Sequence, residues 1–309
     1  MSKTLIVIAG PTAIGKTSLA IRLADYYKTE IISADSRQFY REMSIGTAKP
    51  SEEELNSVRH HFINSHSIHD SFNAGDYEKE VIELLNKLFK VHDQVILVGG
   101  SGLFINAVCN GFDELPAASE ETRNELNRLL SERGIEYLRE KLKKADPVYF
   151  AEVDLNNPQR IIRALEVYES TGKAFSAYRT RIKRKRPFQV IKIALNTSRT
   201  KLYEQIDSRV DQMVQSGLIE EVKSLRKYSH LNALNTVGYK EILEYLDGEY
   251  QQEEAIEKIK QNTRRFAKRQ ITWFKKSEDI MWFEPGDFEK IVNYIGPILQ
   301  NPDPGEQKN

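Results

Sequence analysis

The chain has 309 residues, 40% of them hydrophobic, which is enough for one large α/β domain with an insertion, or for two domains. Lys and Arg (45) balance Asp and Glu (45), so net charge gives no sign of nucleic-acid binding and only local clustering can inform. The single cysteine, Cys109, excludes an internal disulfide, and no apolar run approaches the ~20 residues of a membrane span.

The N-terminal apolar run is too short for a signal peptide, so a soluble, cytoplasmic protein is expected. Residues 5–9 form a short apolar run rich in β-branched residues, as expected of a buried parallel strand. A helix is predicted over 18–27, a second strand over 30–34, an amphipathic helix over 77–91 and a third strand over 94–98. Strands alternating with helices predict an α/β fold, with a parallel sheet flanked by helices. After Leu115-Pro116 the pattern changes. Helices over 119–131, 135–143 and 158–170, the last closed by Gly172, predict a helical insertion. The expected division is a core of 1–115 and 187–309 with an insertion of 116–186. A strand over 189–195 follows, then helices over 200–216, 238–246 and 251–276, and a last strand over 280–283. The polar tail, 301–309, is expected to fray.

The first strand runs into Gly10-Pro11-Thr12-Ala13-Ile14-Gly15-Lys16-Thr17, a P-loop with its required strand before and helix after. Glycines let backbone N–H groups converge on phosphate oxygens, and the helix N-terminus adds a positive dipole end. Lys16 neutralises phosphate charge, and the Thr17 hydroxyl can hold Mg²⁺. The motif names a phosphate group, not a reaction. Motor and switch NTPases usually end a strand in a metal-directed Asp, whereas Val95-Ile96-Leu97-Val98 runs into Gly99-Gly100-Ser101-Gly102. A transferase fits better than an ATP hydrolase.

Asp35 closes the second predicted strand, where doubly wound sheets face their ligand crevice. It can hydrogen-bond or deprotonate an acceptor nucleophile, help order a Mg²⁺ shell, or simply make a turn. Ser36 and Gln38 are polar neighbours able to read an acceptor's edge.

Several segments together resemble tRNA dimethylallyltransferases, also called tRNA isopentenyltransferases. They are the P-loop, Asp35-Ser36, Ile45-Gly46-Thr47-Ala48-Lys49-Pro50, His60-His61 and the Gly99-Gly100 turn. Further along come Gln159-Arg160-Ile161-Ile162-Arg163-Ala164-Leu165-Glu166-Val167, Arg209-x3-Met213-x3-Gly217-x4-Val222 and Val237-Gly238-Tyr239. The resemblance implies a P-loop NTPase-like core in which the loop grips the diphosphate of dimethylallyl diphosphate rather than ATP. The acceptor would be the exocyclic amine of the adenine 3′ of a tRNA anticodon, position 37. Asp35 would orient or deprotonate that amine. Thr17 and Arg209 would stabilise the bridging oxygen of the departing diphosphate, and Lys16 and Mg²⁺ its charge. Asp35, Ser36, Arg37, Gln38, Ser101, Arg123, Gln159, Arg160, Ile161, Ile162 and Arg163 would contact tRNA, and the enzyme would work as a monomer. The target adenine must leave its stack to react.

Two basic runs fit an RNA partner: Arg179, Arg181, Lys183, Arg184, Lys185 and Arg186, and the predicted helix that carries Lys258, Lys260, Arg264, Arg265, Lys268, Arg269, Lys275 and Lys276. Arg209, Met213 and Gly217 are expected on one helix face. Asn157, Asn64, Phe104 and Arg59 depart from the family pattern, which bears on loop structure and RNA contacts. His60, His61, His66 and His69 lack a thiolate and a firm register, so loop packing is preferred over zinc. Trp273 and Trp282 read as packing anchors, and Cys109 as core. A small-molecule or nucleoside kinase is the alternative, and a non-catalytic RNA-binding protein the third reading.

Overall fold

The computed structural model describes residues 3–113, 115–116, 119–180 and 184–301. Arg181 and Lys183 of the first basic run, and all of the tail beyond Asn301, lie outside the described residues. Contacts divide the chain into two compact units, one of 1–110 and 185–309, the other of 111–184.

The first unit begins with β1 (Thr4–Ala9), α1 (Lys16–Tyr27), β2 (Ile31–Ser33), α2 (Glu52–Ser57), β3 (His60–His61), α3 (Ala74–Leu88), β4 (Gln94–Val98) and α4 (Gly102–Asn110). The second unit holds α5 (Glu120–Ala145), α6 (Pro147–Glu152) and α7 (Pro158–Thr171). The chain then returns to the first unit with β5 (Gln189–Leu195), α8 (Arg199–Gln215), α9 (Leu218–Leu225), α10 (Tyr239–Leu246), α11 (Gln252–Phe274), β6 (Ile280–Phe283) and α12 (Phe288–Gln300).

Among the described residues, six strands form one sheet in the order β3-β2-β4-β1-β5-β6, and every neighbouring pair is parallel. All six residues of β1 are buried, as a central strand covered on both faces requires. Ile6 pairs with Ile96 and Ile191, so the β-branched residues of β1, β4 and β5 lie side by side at the centre of the sheet. One core cluster joins them to Leu19 and Leu23 of α1, Leu202 and Ile206 of α8, and Ile291 and Ile295 of α12.

The second unit has its own core of Leu126, Leu138, Leu142, Ile161, Leu165 and Phe175. The helices predicted over 119–131 and 135–143 form one run, α5, broken where Gly134 adopts φ 73°. Asp146, 1% exposed, accepts from the N–H of Tyr149 (2.9 Å) and the N–H of Ser176 (2.7 Å), tying α6 to the segment after α7. Asn157 accepts from the Arg160 N–H at 3.2 Å and caps α7, the service an Asp would give. Gly172 closes α7 in the left-handed region.

Short elements escaped the reading of periodicity. The helix α2 has a capping box between Ser51 and Glu54, and the strand β3 is only two residues long. One expectation fails: Gly217 does not share a helix face with Arg209. The helix α8 stops at Gln215, and Gly217, with φ 97°, turns the chain into α9. Among the described residues, no helix is long and apolar enough to cross a membrane.

Candidate active site

The P-loop spans β1 to α1. Gly10 comes so close to β5 that an added Cβ would sit 2.9 Å from the Leu195 carbonyl oxygen. Gly15 occupies the N-cap of α1 at φ 91° and offers no side-chain cap, so the first N–H groups of the helix are left to an anion. Lys16 donates to the Pro11 carbonyl at 2.6 Å. Burial lowers the Lys16 pKa to about 7, helped by the nearby Arg209 guanidinium and opposed by Asp35. Arg209, on α8, is itself lowered by burial and partly supported by Asp35. Lys16, Asp35 and Arg209 are therefore electrostatic neighbours, two cations and one carboxylate, all half-buried.

Two adjoining cavities meet here. The smaller is lined by Lys16, Thr17, Asp35, Gln38 and Arg209, with Ile63, Val98 and Phe266 as apolar wall. The larger is lined by Ser36, Arg37, Ser101, Met213, Arg269 and Trp273. Thr12, Asp35, Arg209, Phe266 and Gln270 belong to both. The phosphate loop thus opens into one chamber and a second chamber reaches the same carboxylate and guanidinium.

Asp35 also makes the turn that a bland reading allows, since its Oδ1 accepts from the Arg37 N–H at 2.9 Å. Gln38 is committed internally: its amide donates to the carbonyls of Thr47 (3.2 Å) and Ala48 (3.1 Å). Arg209 donates to the same Ala48 carbonyl at 3.3 Å. Gln270 went unnoticed in the sequence. Buried on α11, it accepts from the Thr12 N–H (2.9 Å) and donates to the Gly100 carbonyl (2.9 Å), stitching the P-loop to the turn after β4. A Gln within a basic helix carries no periodic signal that would have marked it.

The expected RNA contacts divide. In the second unit Gln159 and Arg160 are exposed, but Ile161 and Ile162 are core residues, 0% and 1% exposed, because the buried face of α7 passes through them. Their side chains pack into the core rather than facing the surface. Arg163 donates to buried Glu166 at 3.1 Å, and Arg123 lies 3.6 Å from the other oxygen of Glu166, too far for a hydrogen bond but close enough for an ion pair.

The basic runs are also narrower than they read. Arg186 is structural: it donates to Glu78 (2.6 Å) and to the carbonyls of Ala107 (2.7 Å) and Val108 (2.8 Å). Arg179 pairs with Glu152 at 3.0 Å. On α11, Lys260 pairs with Asp211 and Arg264 with Asp207, both acids of α8. Lys268 and Arg269 remain exposed, and Arg269 lines the larger cavity. Trp273, read as a packing anchor, is 42% exposed at that cavity, and Phe266 is 39% exposed. An aromatic pair beside a cation is what a base-stacking wall needs.

The histidines make contacts within the protein, and His60 also lines the smaller cavity. His61 bonds Glu30 at 2.5 Å, the Nδ1–H of His60 donates to Val58 O at 2.8 Å, and the His66 ring stacks on Phe72 at 3.8 Å. Among the described residues, no group of three or more His, Cys, Asp or Glu is placed to hold a metal. Cys109 is buried, as expected of a core residue.

The sequence pattern of the family described as IPP transferase matches residues 38–277. The chain is 51% identical over 296 residues to a tRNA dimethylallyltransferase of Christiangramia forsetii, covering 96% of this chain and 98% of the relative. It is 48% identical over 294 residues to tRNA dimethylallyltransferase 1 of Bacteroides fragilis, covering 95% and 98%. Its fold superposes on the tRNA isopentenylpyrophosphate transferase of Bacillus halodurans with TM-score 0.72 and 38% identity, over 96% of this chain and 97% of the other. A eukaryotic dimethylallyltransferase solved acting on tRNA matches with TM-score 0.80 and 25% identity, over 99% and 82%. A P-loop, and a carboxylate and a half-buried arginine that line two adjoining chambers, sit within a sequence so closely matched that this chain belongs to the IPP transferase family.

Proposed function

We propose that the chain transfers a dimethylallyl group from dimethylallyl diphosphate to the exocyclic amine of adenine 37 in tRNA, releasing diphosphate. The observation that carries this reading is the position of Asp35 and Arg209, which line both cavities and so stand between a diphosphate on the P-loop and a base in the larger chamber. The allylic C–O bond breaks, and its electron pair leaves with the diphosphate. The adenine nitrogen supplies the pair of the new C–N bond and gives up a proton. Asp35 orients the amine and receives that proton. Arg209, Lys16, the Thr17 hydroxyl and the N–H groups at the start of α1 hold the charge that develops on the bridging and terminal oxygens. An allylic carbon ionises readily, so positioning and leaving-group stabilisation suffice.

Thr17 fits a Mg²⁺ role. Its hydroxyl is a hard oxygen donor lining the diphosphate chamber, and Mg²⁺ takes few protein ligands beside phosphate oxygens and water. When bound, the ion would neutralise leaving-group charge. Phe266 and Trp273 are placed to stack an extruded adenine or its neighbour.

The test is incubation with unmodified tRNA, labelled dimethylallyl diphosphate and Mg²⁺ without ATP. Label should enter tRNA and diphosphate should appear. Transfer of the terminal phosphate of ATP, with no label in tRNA, would instead make the protein a P-loop kinase, a reading the named relatives do not favour.

The lowered Lys16 pKa gives a pH prediction. In the free protein Lys16 loses its charge as pH rises through about 7. A bound diphosphate favours the ammonium form, so donor binding above that pH takes up a proton. Calorimetry near pH 8, in buffers of different ionisation enthalpy, should detect this uptake, and donor affinity should weaken from pH 6 to 9. Lys16→Met should abolish the uptake. Binding without proton uptake in the unaltered protein would mean that Lys16 stays charged when free.

A further inference from the structure

We infer that Glu221 and Tyr239 form a clamp that positions Arg209 by fixing the loop of residues 44–49. The clamp rests on the prenyl-transfer reading for its purpose but not for its geometry. Glu221, on α9, receives four hydrogen bonds. One carboxylate oxygen accepts from the N–H groups of Ser44 (2.9 Å) and Ile45 (2.8 Å). The other accepts from the Gly46 N–H (3.0 Å) and the Tyr239 hydroxyl (2.5 Å). Three successive N–H groups on one carboxylate form an anion nest, and here the anion belongs to the protein.

The loop above the nest is a tight turn. The Ala48 N–H donates to Ile45 O (2.9 Å), the Lys49 N–H to Ser44 O (3.3 Å), and the Thr47 hydroxyl to Met43 O (2.8 Å). Ala48 has φ 47°, an uncommon conformation for a residue with a Cβ. Its carbonyl is thereby aimed at the site, where it accepts from Arg209 (3.3 Å) and Gln38 (3.1 Å). Lys49 pins the far side by donating to Tyr40 O (2.6 Å) and Asn64 Oδ1 (2.6 Å), which gives the departing Asn64 a role of its own. Burial lowers Lys49 to about 8, against the pull of Glu221.

Gly46 explains the smallest residue of the Gly-Thr-Ala-Lys-Pro segment. A Cβ there would lie 2.5 Å from the Tyr239 ring and 2.9 Å from Leu218 Cδ1. Two segments that the sequence leaves unconnected, Gly46 to Lys49 and Val237 to Tyr239, thus meet at one carboxylate. Glu221 touches neither cavity, so it is a positioning residue, acting through Ala48 on the guanidinium.

The test is a double-mutant cycle between Glu221 and Arg209. Glu221→Gln presents an NH₂ where an oxygen receives N–H donors, and should lower kcat about 10²-fold, the cost of a misplacement of about 1 Å. KM for donor and tRNA should change less than threefold. If Glu221 acts through Arg209, the E221Q/R209A double variant should be no slower than R209A alone. Tyr239→Phe keeps the ring packed on Gly46 and removes one hydrogen bond. It should give a smaller loss, also masked by R209A, and it serves if E221Q does not fold. Losses that multiply in the double variants, or E221Q and Y239F rates equal to wild type, would overturn the clamp. Wild-type turnover measured alongside reports separately on prenyl transfer. Were it absent, the same cycle read as affinity for inorganic diphosphate would still decide the clamp by the same rule.

Discussion

Arg209→Ala should slow prenyl transfer by about 10²–10³-fold, the range for losing one preorganised donor to a developing oxyanion. The half-buried guanidinium lines both chambers and donates to the Ala48 carbonyl, so its geometry is set before substrate arrives. Preorganised charge of this kind acts most where charge develops and little in the ground state. Single-turnover rates with labelled donor should therefore fall far more than tRNA affinity, which filter binding should find within about threefold of wild type. Equal losses in rate and affinity would assign Arg209 to RNA binding instead. Arg209→Lys should recover little, because a point charge cannot bridge Ala48 and the leaving oxygen as a planar fork does.

Asp35→Asn should lower kcat by about 10²–10⁴-fold, the span of general acid–base contributions. This substitution separates chemistry from structure. The Asn side-chain oxygen can still accept from the Arg37 N–H, as Asp35 Oδ1 does at 2.9 Å, so the turn after β2 survives. Only the charge and the proton-accepting oxygen are lost. The melting temperature should move little, and tRNA and donor should still bind. Unchanged turnover in D35N would reduce Asp35 to its turn. Asp35→Ala should lose the turn as well, and so lower both turnover and stability.

Strong local signals made much of the fold legible. The bounds predicted for β4, β5 and β6 agree with those observed, because each is a short apolar run bounded by turn or charged residues. The P-loop was readable because its glycines answer a local backbone demand. The failures are instructive in the same terms. Ile161 and Ile162 belong to a segment that looks like an RNA contact, yet helical period alone puts both on the buried face of α7. Arg186 and Arg264 read as free cations because their acids lie 108 and 57 residues away.

By itself the sequence determined the parallel α/β core, the helical insertion, the phosphate loop and the family. Each of these rests on residues that are neighbours in the chain or repeat along it at a fixed period. The tertiary structure alone decided the strand order, the two chambers that meet at Asp35 and Arg209, and the roles of Gln270 and Glu221. The reason is physical. A buried polar side chain takes its meaning from the backbone groups it satisfies, and Glu221 satisfies amides about 175 residues away, a distance over which no local pattern carries information.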